Sequence, residues 1–304
     1  MLLQPNDNLA GCARLAPRPR QDSRRRPACV SRRDARPPGR MRIVTWNINS
    51  LRLRLPLLER LVLELSPDIV CLQETKVPDE LFPHAAGPAL GYPHVVHRGM
   101  KSYNGVAIFS RLPIAPVDTA PDWCLRNDRR HLAVTVQARS GPIELHDFYV
   151  PAGGDIPDAS VNPKFAHKLA FVEEVTRHFA AAPPHPRILV GDLNIAPLEH
   201  DVWSHRQLLG IVSHTPGEVE RLLAWQQSGF VDAMRHFVPA GQKLYTWWSY
   251  RNRDWRLSDR GRRLDHVWVT PDLVPALQGI TVHKEARDWP APSDHVPVML
   301  ELDA

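Results

Sequence analysis

The sequence predicts an α/β (α+β) chain of two stacked β-sheets flanked by helices. Three observations carry that expectation. Short apolar runs punctuated by Pro and Gly outnumber the helical stripes, as in a sheet-rich protein. Helical stripes nevertheless recur between the runs, so neither an all-β nor an all-α chain fits. Several of the apolar runs also end on a polar side chain, which places chemistry at strand ends.

Residues 1–40 contain six Pro, ten Arg and three Asp, with almost no apolar periodicity. They read as a disordered Arg/Pro-rich extension, leaving residues 41–304 as one domain. A basic nucleic-acid tail and an organellar presequence are functional readings of this stretch. A start placed too early is the favoured one, because Met41 begins a strand outright. Met41–Trp46 is that strand, followed by Asn47-Ile48-Asn49. A helix is expected at about 55–65, where Leu57, Leu58, Leu61, Val62 and Leu65 form one apolar stripe, stopped by Pro67. The run from Asp68 to Glu74 is a buried strand with an acid at its carboxyl end.

Gly105–Phe109, Leu132–Val136 and Ile143–Val150 are further strands. Asn162-Pro163 caps a long helix whose Phe165, Leu169, Val172 and Phe179 share a face, ending before Pro183-Pro184. Arg187–Val190 is a buried strand that turns at Gly191. Thr215-Pro216-Gly217-Glu218 is a capping box opening a helix to about Gln227. Leu244–Arg263 is a loop with Trp247, Trp248, Tyr250 and Trp255 among six Arg. Leu264–Val269 and Val296–Leu302 close the chain as strands.

The formal charge of +5 is misleading. Residues 1–40 carry 10 − 3 = +7, so the remainder carries 5 − 7 = −2, and affinity for a polyanion must come from a local patch. Cys12, Cys29, Cys71 and Cys124 show neither paired nor metal-ligand spacing, which suits a reducing, cytoplasmic setting. No apolar run approaches the ~18–20 residues of a membrane span, and no secretory signal is visible, so no membrane partner is expected.

Alternation along an extended chain sends Asp192 and Asn194 off the strand end together, with Leu193 turned inward. Such a pair can orient a water and grip a phosphate oxygen. It is equally the ending of an ordinary Asx turn. Glu74, Asp192, Asp265 and Asp294 each end or abut an apolar run, as do Asn47, Tyr149, Asn194 and His295. Carboxylates converging on one rim repel each other unless a cation sits among them. All-oxygen donors suit Mg²⁺ or Mn²⁺, and the lack of Cys or His pairs argues against Zn²⁺.

Seven blocks occur in one order: Trp46-Asn47-Ile48-Asn49, Leu72-Gln73-Glu74-Thr75-Lys76, Gly105-Val106-Ala107, Tyr149-Val150-Pro151, Gly191-Asp192-Leu193-Asn194-Ile195, Leu264-Asp265 and Ser293-Asp294-His295. From Met41 to about Leu302 the chain thereby resembles the exonuclease III family of apurinic/apyrimidinic endonucleases, within the endonuclease/exonuclease/phosphatase superfamily. The resemblance implies a four-layered α/β sandwich, two mainly antiparallel sheets between helices. It implies Mg²⁺-dependent hydrolysis of double-stranded DNA 5′ to abasic sites, with 3′→5′ exonuclease and 3′-phosphatase activity, by a monomer. On the matching positions, Glu74 is the principal metal ligand, with Asn47, Asp192, Asn194, Asp294 and His295 in the metal-binding set. Asp192 activates the attacking water and Asn194 orients the phosphate. His295 binds the phosphate or serves as acid/base, Asp265 orients its imidazole, and the Tyr149 hydroxyl reaches the phosphate. A one-residue slip in register would put Phe148 there instead.

At the DNA the resemblance places Trp247 and Leu264 beside an abasic pocket. The loops His97–Asn104, with Tyr103 and Asn104, and Arg126–Arg130, with Arg130, are further DNA contacts. Arg262 departs from the family pattern, which has an apolar residue there. It either blocks the pocket or turns its head group to a phosphate, and the second is expected because an unpaired buried guanidinium is costly. Two other readings remain: a superfamily phosphatase on another phosphoester, and a DNA-binding module without catalysis. Mg²⁺-dependent cleavage of an abasic duplex separates them.

Overall fold

The computed structural model describes residues 39–117, 121–252 and 254–304. The expected disordered extension, residues 1–40, therefore lies outside the described residues except for Gly39 and Arg40, and Arg40 already belongs to the first strand. In chain order come β1 (Arg40–Asn47), α1 (Leu51–Leu65), β2 (Ile69–Gln73), α2 (Ala86–Ala89), β3 (His94–Arg98), β4 (Val106–Ser110), β5 (Ile114–Pro116), β6 (His131–Ala138) and β7 (Gly141–Tyr149). The second half runs α3 (Pro163–Ala181), β8 (Arg187–Asp192), α4 (His205–Leu208), α5 (Pro216–Gln227), β9 (Val231–Asp232) and α6 (Ala233–Phe237). It ends β10 (Trp247–Trp248), α7 (Trp255–Ser258), β11 (Gly261–Arg262), β12 (Asp265–Val269), β13 (Leu277–Val282) and β14 (Val298–Asp303).

One six-stranded sheet has the order β13-β14-β1-β2-β4-β3, the other β5-β6-β7-β8-β12-β9. Each holds a single parallel pair, β1 with β2 and β7 with β8, among antiparallel neighbours. Period-2 alternation divides every central strand between two layers. Ile43, Cys71 and Ile108 of the first sheet meet Val134, Leu145, Val190 and Val267 of the second. Their neighbours Val44, Trp46, Val70 and Leu72 face outward onto Leu57, Leu58 and Leu61 of α1. On the opposite side Phe148, Leu189 and Trp268 pack against Phe171, Val172 and Val175 of α3 and Trp225 of α5. The order helix, sheet, sheet, helix is the expected four-layered sandwich.

This topology builds one rim. The two parallel pairs end together at Asn47, Gln73, Tyr149 and Asp192. Because β12 runs antiparallel to β8, its first residue Asp265 lies opposite Asp192. Because β14 runs antiparallel to β1, the segment entering it carries Ser293, Asp294 and His295 to the same end. Gly191 makes the approach possible: at φ 137° a Cβ would come within 2.0 Å of the Phe148 carbonyl oxygen.

Three local expectations are corrected. First, α1 begins at Leu51, ahead of the apolar stripe, with a kink at Arg54 just before Pro56. Proline is tolerated there because the turn before it is held from outside. Ser50 and Leu51 donate to the Glu74 and Thr75 carbonyls, and the buried Arg54 donates to the carbonyls of Ile48, Asn49, Ala291 and Pro292. Second, the buried face of α3 includes Lys168, Phe171 and Val175, and Leu169 is only half-buried. The helix is rotated so that a lysine points inward.

Third, the stretch expected to be a loop holds β10, α7 and β11, and its Trp and Arg side chains do not share one face. Trp248 is core, Trp255 packs on it at 5.0 Å, and Arg253 lies outside the described residues. Arg263 is fully buried, donating to both carboxylate oxygens of Asp201 at 2.8 and 2.9 Å and to Asp232 at 2.6 Å. Arg263→Met would leave Asp232 and half of Asp201's partners uncompensated. We expect the unfolding free energy in urea to fall by roughly 3–5 kcal/mol, toward the lower figure because Arg235 also holds Asp201. Unchanged stability would contradict the pairing.

Candidate active site

Asp192 is the hub of the rim. It is 1% exposed, and its Oδ2 accepts from the Asn47 carboxamide at 2.9 Å and from Asn194 at 3.1 Å. Its Oδ1 accepts the Asn194 backbone N–H at 2.9 Å, closing an Asx turn with Asn194 at φ 54°. Asp192 and Asn194 therefore meet through that turn rather than through strand alternation, while Leu193 is buried as expected.

His295 stands between two carboxylates. Its Nδ1 lies 2.8 Å from Asp265 Oδ2 and its Nε2 3.6 Å from Asp192 Oδ2. Burial opposes its charge, but Asp265 and Asp192 outweigh that and raise its pKa to about 10. Burial lifts Asp192 to about 7 against the pull of His295. The two carboxylates thus favour the protonated imidazole, while burial favours the neutral form of Asp192. Thr246 Oγ1 fixes the start of β12 by accepting the Leu264 and Asp265 N–H groups. Ser293 fixes the other side, donating to the Asn47 carbonyl.

Glu74 follows the end of β2 at φ 51°. Its Oε1 accepts from Asn47 at 2.9 Å and from the Tyr149 hydroxyl at 2.8 Å, and its Oε2 pairs with Lys76 at 2.8 Å. Burial pushes the Glu74 carboxyl up, yet the bonds from Asn47 and Lys76 and the Lys76 charge hold it below the usual range. Tyr149 faces the rim and Phe148 lies in the helix-side core, so the register is the expected one. Asp294 accepts from Asn49 at 3.0 Å and from the Trp247 indole at 2.9 Å. Burial raises it, but His295 and these two donors leave it lowered.

The donor chemistry suits a hard divalent cation. Carboxylates and carboxamides converge here, Glu74 and Asp294 are held as anions, and Asp265 Oδ1 has no partner among the described residues. Asp192, Asp265 and His295 each bring a ligand-type atom within 4.8 Å of the others. In this arrangement His295 Nδ1 faces Asp265 and Nε2 faces Asp192. Non-glycine residues at positive φ cluster around this rim: Asn49, Ser50, Glu74, Lys76 and Asn194. Each costs on the order of 1 kcal/mol, and such strain gathers at functional sites.

The flanking residues divide. Trp247 and Arg262 are register partners across the β10–β11 ribbon, with the guanidinium 5.4 Å from the ring centroid. Arg262 Nη1 donates to the Val212 carbonyl at 3.0 Å and to Ser213 Oγ at 2.7 Å. The head group is thus folded onto Trp247, and among the described residues it has no carboxylate partner. Leu264 lies behind them with Ala196, Val202 and Leu208. Tyr103 is exposed, Asn104 donates to the Asp128 carbonyl, and Arg130 pairs with Asp128 while lying 4.9 Å from the Tyr149 ring centroid. Sequence reasoning missed Asn49 and Lys76, which join Glu74 to Asp294 through a 2.6 Å bond. Both stand inside the quoted blocks. It also missed Lys168, which no block signals.

A sequence profile of the Endonuclease/Exonuclease/phosphatase family matches residues 44–295. Exodeoxyribonuclease III of Haemophilus influenzae is 28% identical over 275 residues, covering 86% of this chain and 100% of that protein. DNA repair nuclease APEX1 of Danio rerio is 27% identical, covering 91% and 86%. Among solved structures, an AP endonuclease from Archaeoglobus fulgidus superposes with a TM-score of 0.78 at 30% identity, covering 87% of this chain and 100% of that one. The 3′ phosphatase NExo from Neisseria, bound to a product DNA hairpin, gives 0.76 at 33% identity with the same coverage.

Proposed function

The chain belongs to the Endonuclease/Exonuclease/phosphatase family, and from that premise we propose that it is a DNA-repair nuclease. It hydrolyses phosphodiesters of double-stranded DNA 5′ to abasic sites and, from 3′ ends, exonucleolytically. The observation that carries the reading is Asp192 set between Asn47, Asn194 and an imidazolium backed by Asp265. Asp192 orients and deprotonates the water. The carboxamides of Asn47 and Asn194 hold Asp192 in place by donating to its Oδ2. His295 donates to the phosphate, and Asp265 keeps it protonated and aimed. A divalent cation, Mg²⁺ or Mn²⁺, held by Glu74 with Asn47 and Asp294, would supply charge neutralisation. Tyr149, donating to Glu74, keeps that carboxylate in place.

Tyr103, Asn104, Arg130, Trp247 and Arg262 form the DNA face in this reading, with Leu264 supporting it from behind, and the protein acts as a monomer in a reducing cytoplasm. No helix among the described residues is long and apolar enough to cross a membrane. Abasic, blunt and 3′-phosphate duplexes, each incubated with Mg²⁺ and with chelator, test the proposal on one gel. Metal-dependent cleavage is expected, and an inert abasic duplex would defeat the repair reading.

Arg262 gives a finer test. Lacking a carboxylate partner, its charge is available to a DNA phosphate. Arg262→Leu is expected to weaken binding of all duplexes and to flatten log K against log[salt] by about one unit of slope. A selective rise in abasic incision with an unchanged slope would show that the side chain instead narrows the pocket.

A further inference from the structure

The inward rotation of α3 places Lys168 and Glu218 together with no solvent exposure and an Nζ–Oε1 distance of 2.5 Å. The other two ammonium donors go to backbone carbonyls, Asn194 at 2.8 Å and Ala152 at 3.3 Å. We propose that Lys168 is a positioning residue for the hydrolysis: it clamps the Asn194 carbonyl and so sets the turn that presents Asp192 and Asn194. The inference rests on the nuclease reading above.

Stability alone does not account for the pair. Replacing a buried ion pair by apolar groups of similar volume is often neutral or stabilising. Glu218 does not need the lysine to satisfy its oxygens either. They accept the Ser213 N–H at 2.9 Å, the Thr215 N–H at 3.2 Å and the Thr215 hydroxyl at 2.7 Å. Among the described residues, Lys168 alone supplies a donor to Asn194 O. Asn194 sits in the left-handed region, where a non-glycine backbone persists only if its surroundings over-determine it. Its N–H is tied to Asp192, and its carboxamide to Asp192 and the Val150 carbonyl. The lysine closes the remaining side.

Two further contacts tie the clamp into the site. Gly153, at φ 89°, leaves room for the lysine stem, since a Cβ there would lie 2.9 Å from Lys168 Cδ and 3.0 Å from Val212 Cγ1. At the other end Glu218 holds Ser213, whose hydroxyl accepts from Arg262. The pair thus spans from the Asp192–Asn194 turn to the Trp247–Arg262 wall.

Steady-state incision of an abasic duplex by the full chain with Mg²⁺ tests this. Lys168→Met is expected to lower kcat by about 10- to 100-fold, the effect of a small misplacement of reacting groups, with KM for duplex within about threefold. The double variant Lys168→Met with Glu218→Gln removes both charges of the pair and should show the same split with a near-native melting temperature. Gly153→Ala, which displaces the lysine without removing it, should show a smaller fall of the same kind. A folded single or double variant with kcat within about twofold of the parent overturns the clamp, as does a change confined to KM. Failure of both to fold would make the pair structural and overturns it equally. A parent chain without metal-dependent incision would instead defeat the nuclease reading itself.

Discussion

Asp192→Asn is expected to lower the single-turnover incision rate by about 10²- to 10⁴-fold, the range attributed to a positioned general base. The substitution keeps volume and removes the charge. It also replaces one carboxylate oxygen with an N–H donor. Oδ1 faces the Asn194 N–H, and Oδ2 faces the carboxamide donors of Asn47 and Asn194. Whichever side the new amide takes, donor meets donor, so the water loses its base and its frame together. His295 also loses one of the carboxylates that hold its proton. Duplex affinity, set by the surrounding loops, should stay within about threefold. A rate within about tenfold of the parent would remove Asp192 from the chemistry.

Glu74→Gln is expected to abolish cleavage at limiting Mg²⁺ while leaving fold and duplex binding largely intact. One hard anionic ligand disappears with almost no change in volume. The amide also withdraws an acceptor from Tyr149, Asn47 or Lys76, all of which now converge on Glu74. The half-saturating Mg²⁺ concentration should rise by about 10- to 100-fold or more, since even loss of an outer partner of a metal ligand costs that much. Titrating Mg²⁺ at fixed duplex measures it, and a near-parental rate at low Mg²⁺ would sink the metal assignment.

Much of this site was legible because strand ends are legible. Apolar runs that stop on Asn47, Glu74, Tyr149 and Asp192 announce a rim, and the parallel pairs bring those ends together. What resisted reading was the direction of neighbouring side chains in irregular or rotated segments. Trp247 faces Asp294 while Trp248 is core, and Arg262 lies on Trp247 while Arg263 is sealed between Asp201 and Asp232. Adjacent residues in an extended segment point opposite ways, and composition does not say which way is inward. The same limit hid Lys168. An apolar stripe through Leu169 looks sound on a helical wheel, yet the helix turns by one position to deliver an ammonium to Asn194. The first turn of α1 was hidden likewise, because it is held by loops distant in sequence.

Hydrolysis by an Asp192-activated water requires the new oxygen to end on the 5′-phosphate, and cleavage in ¹⁸O-water reads that directly. A natural abasic duplex, cleaved with Mg²⁺ and analysed by mass spectrometry, should yield a 3′-hydroxyl and a 5′-phosphate carrying one ¹⁸O per cut. A 5′-phosphate without ¹⁸O, opposite an unsaturated sugar end, would mean elimination rather than hydrolysis and would contradict the role given to Asp192 and His295.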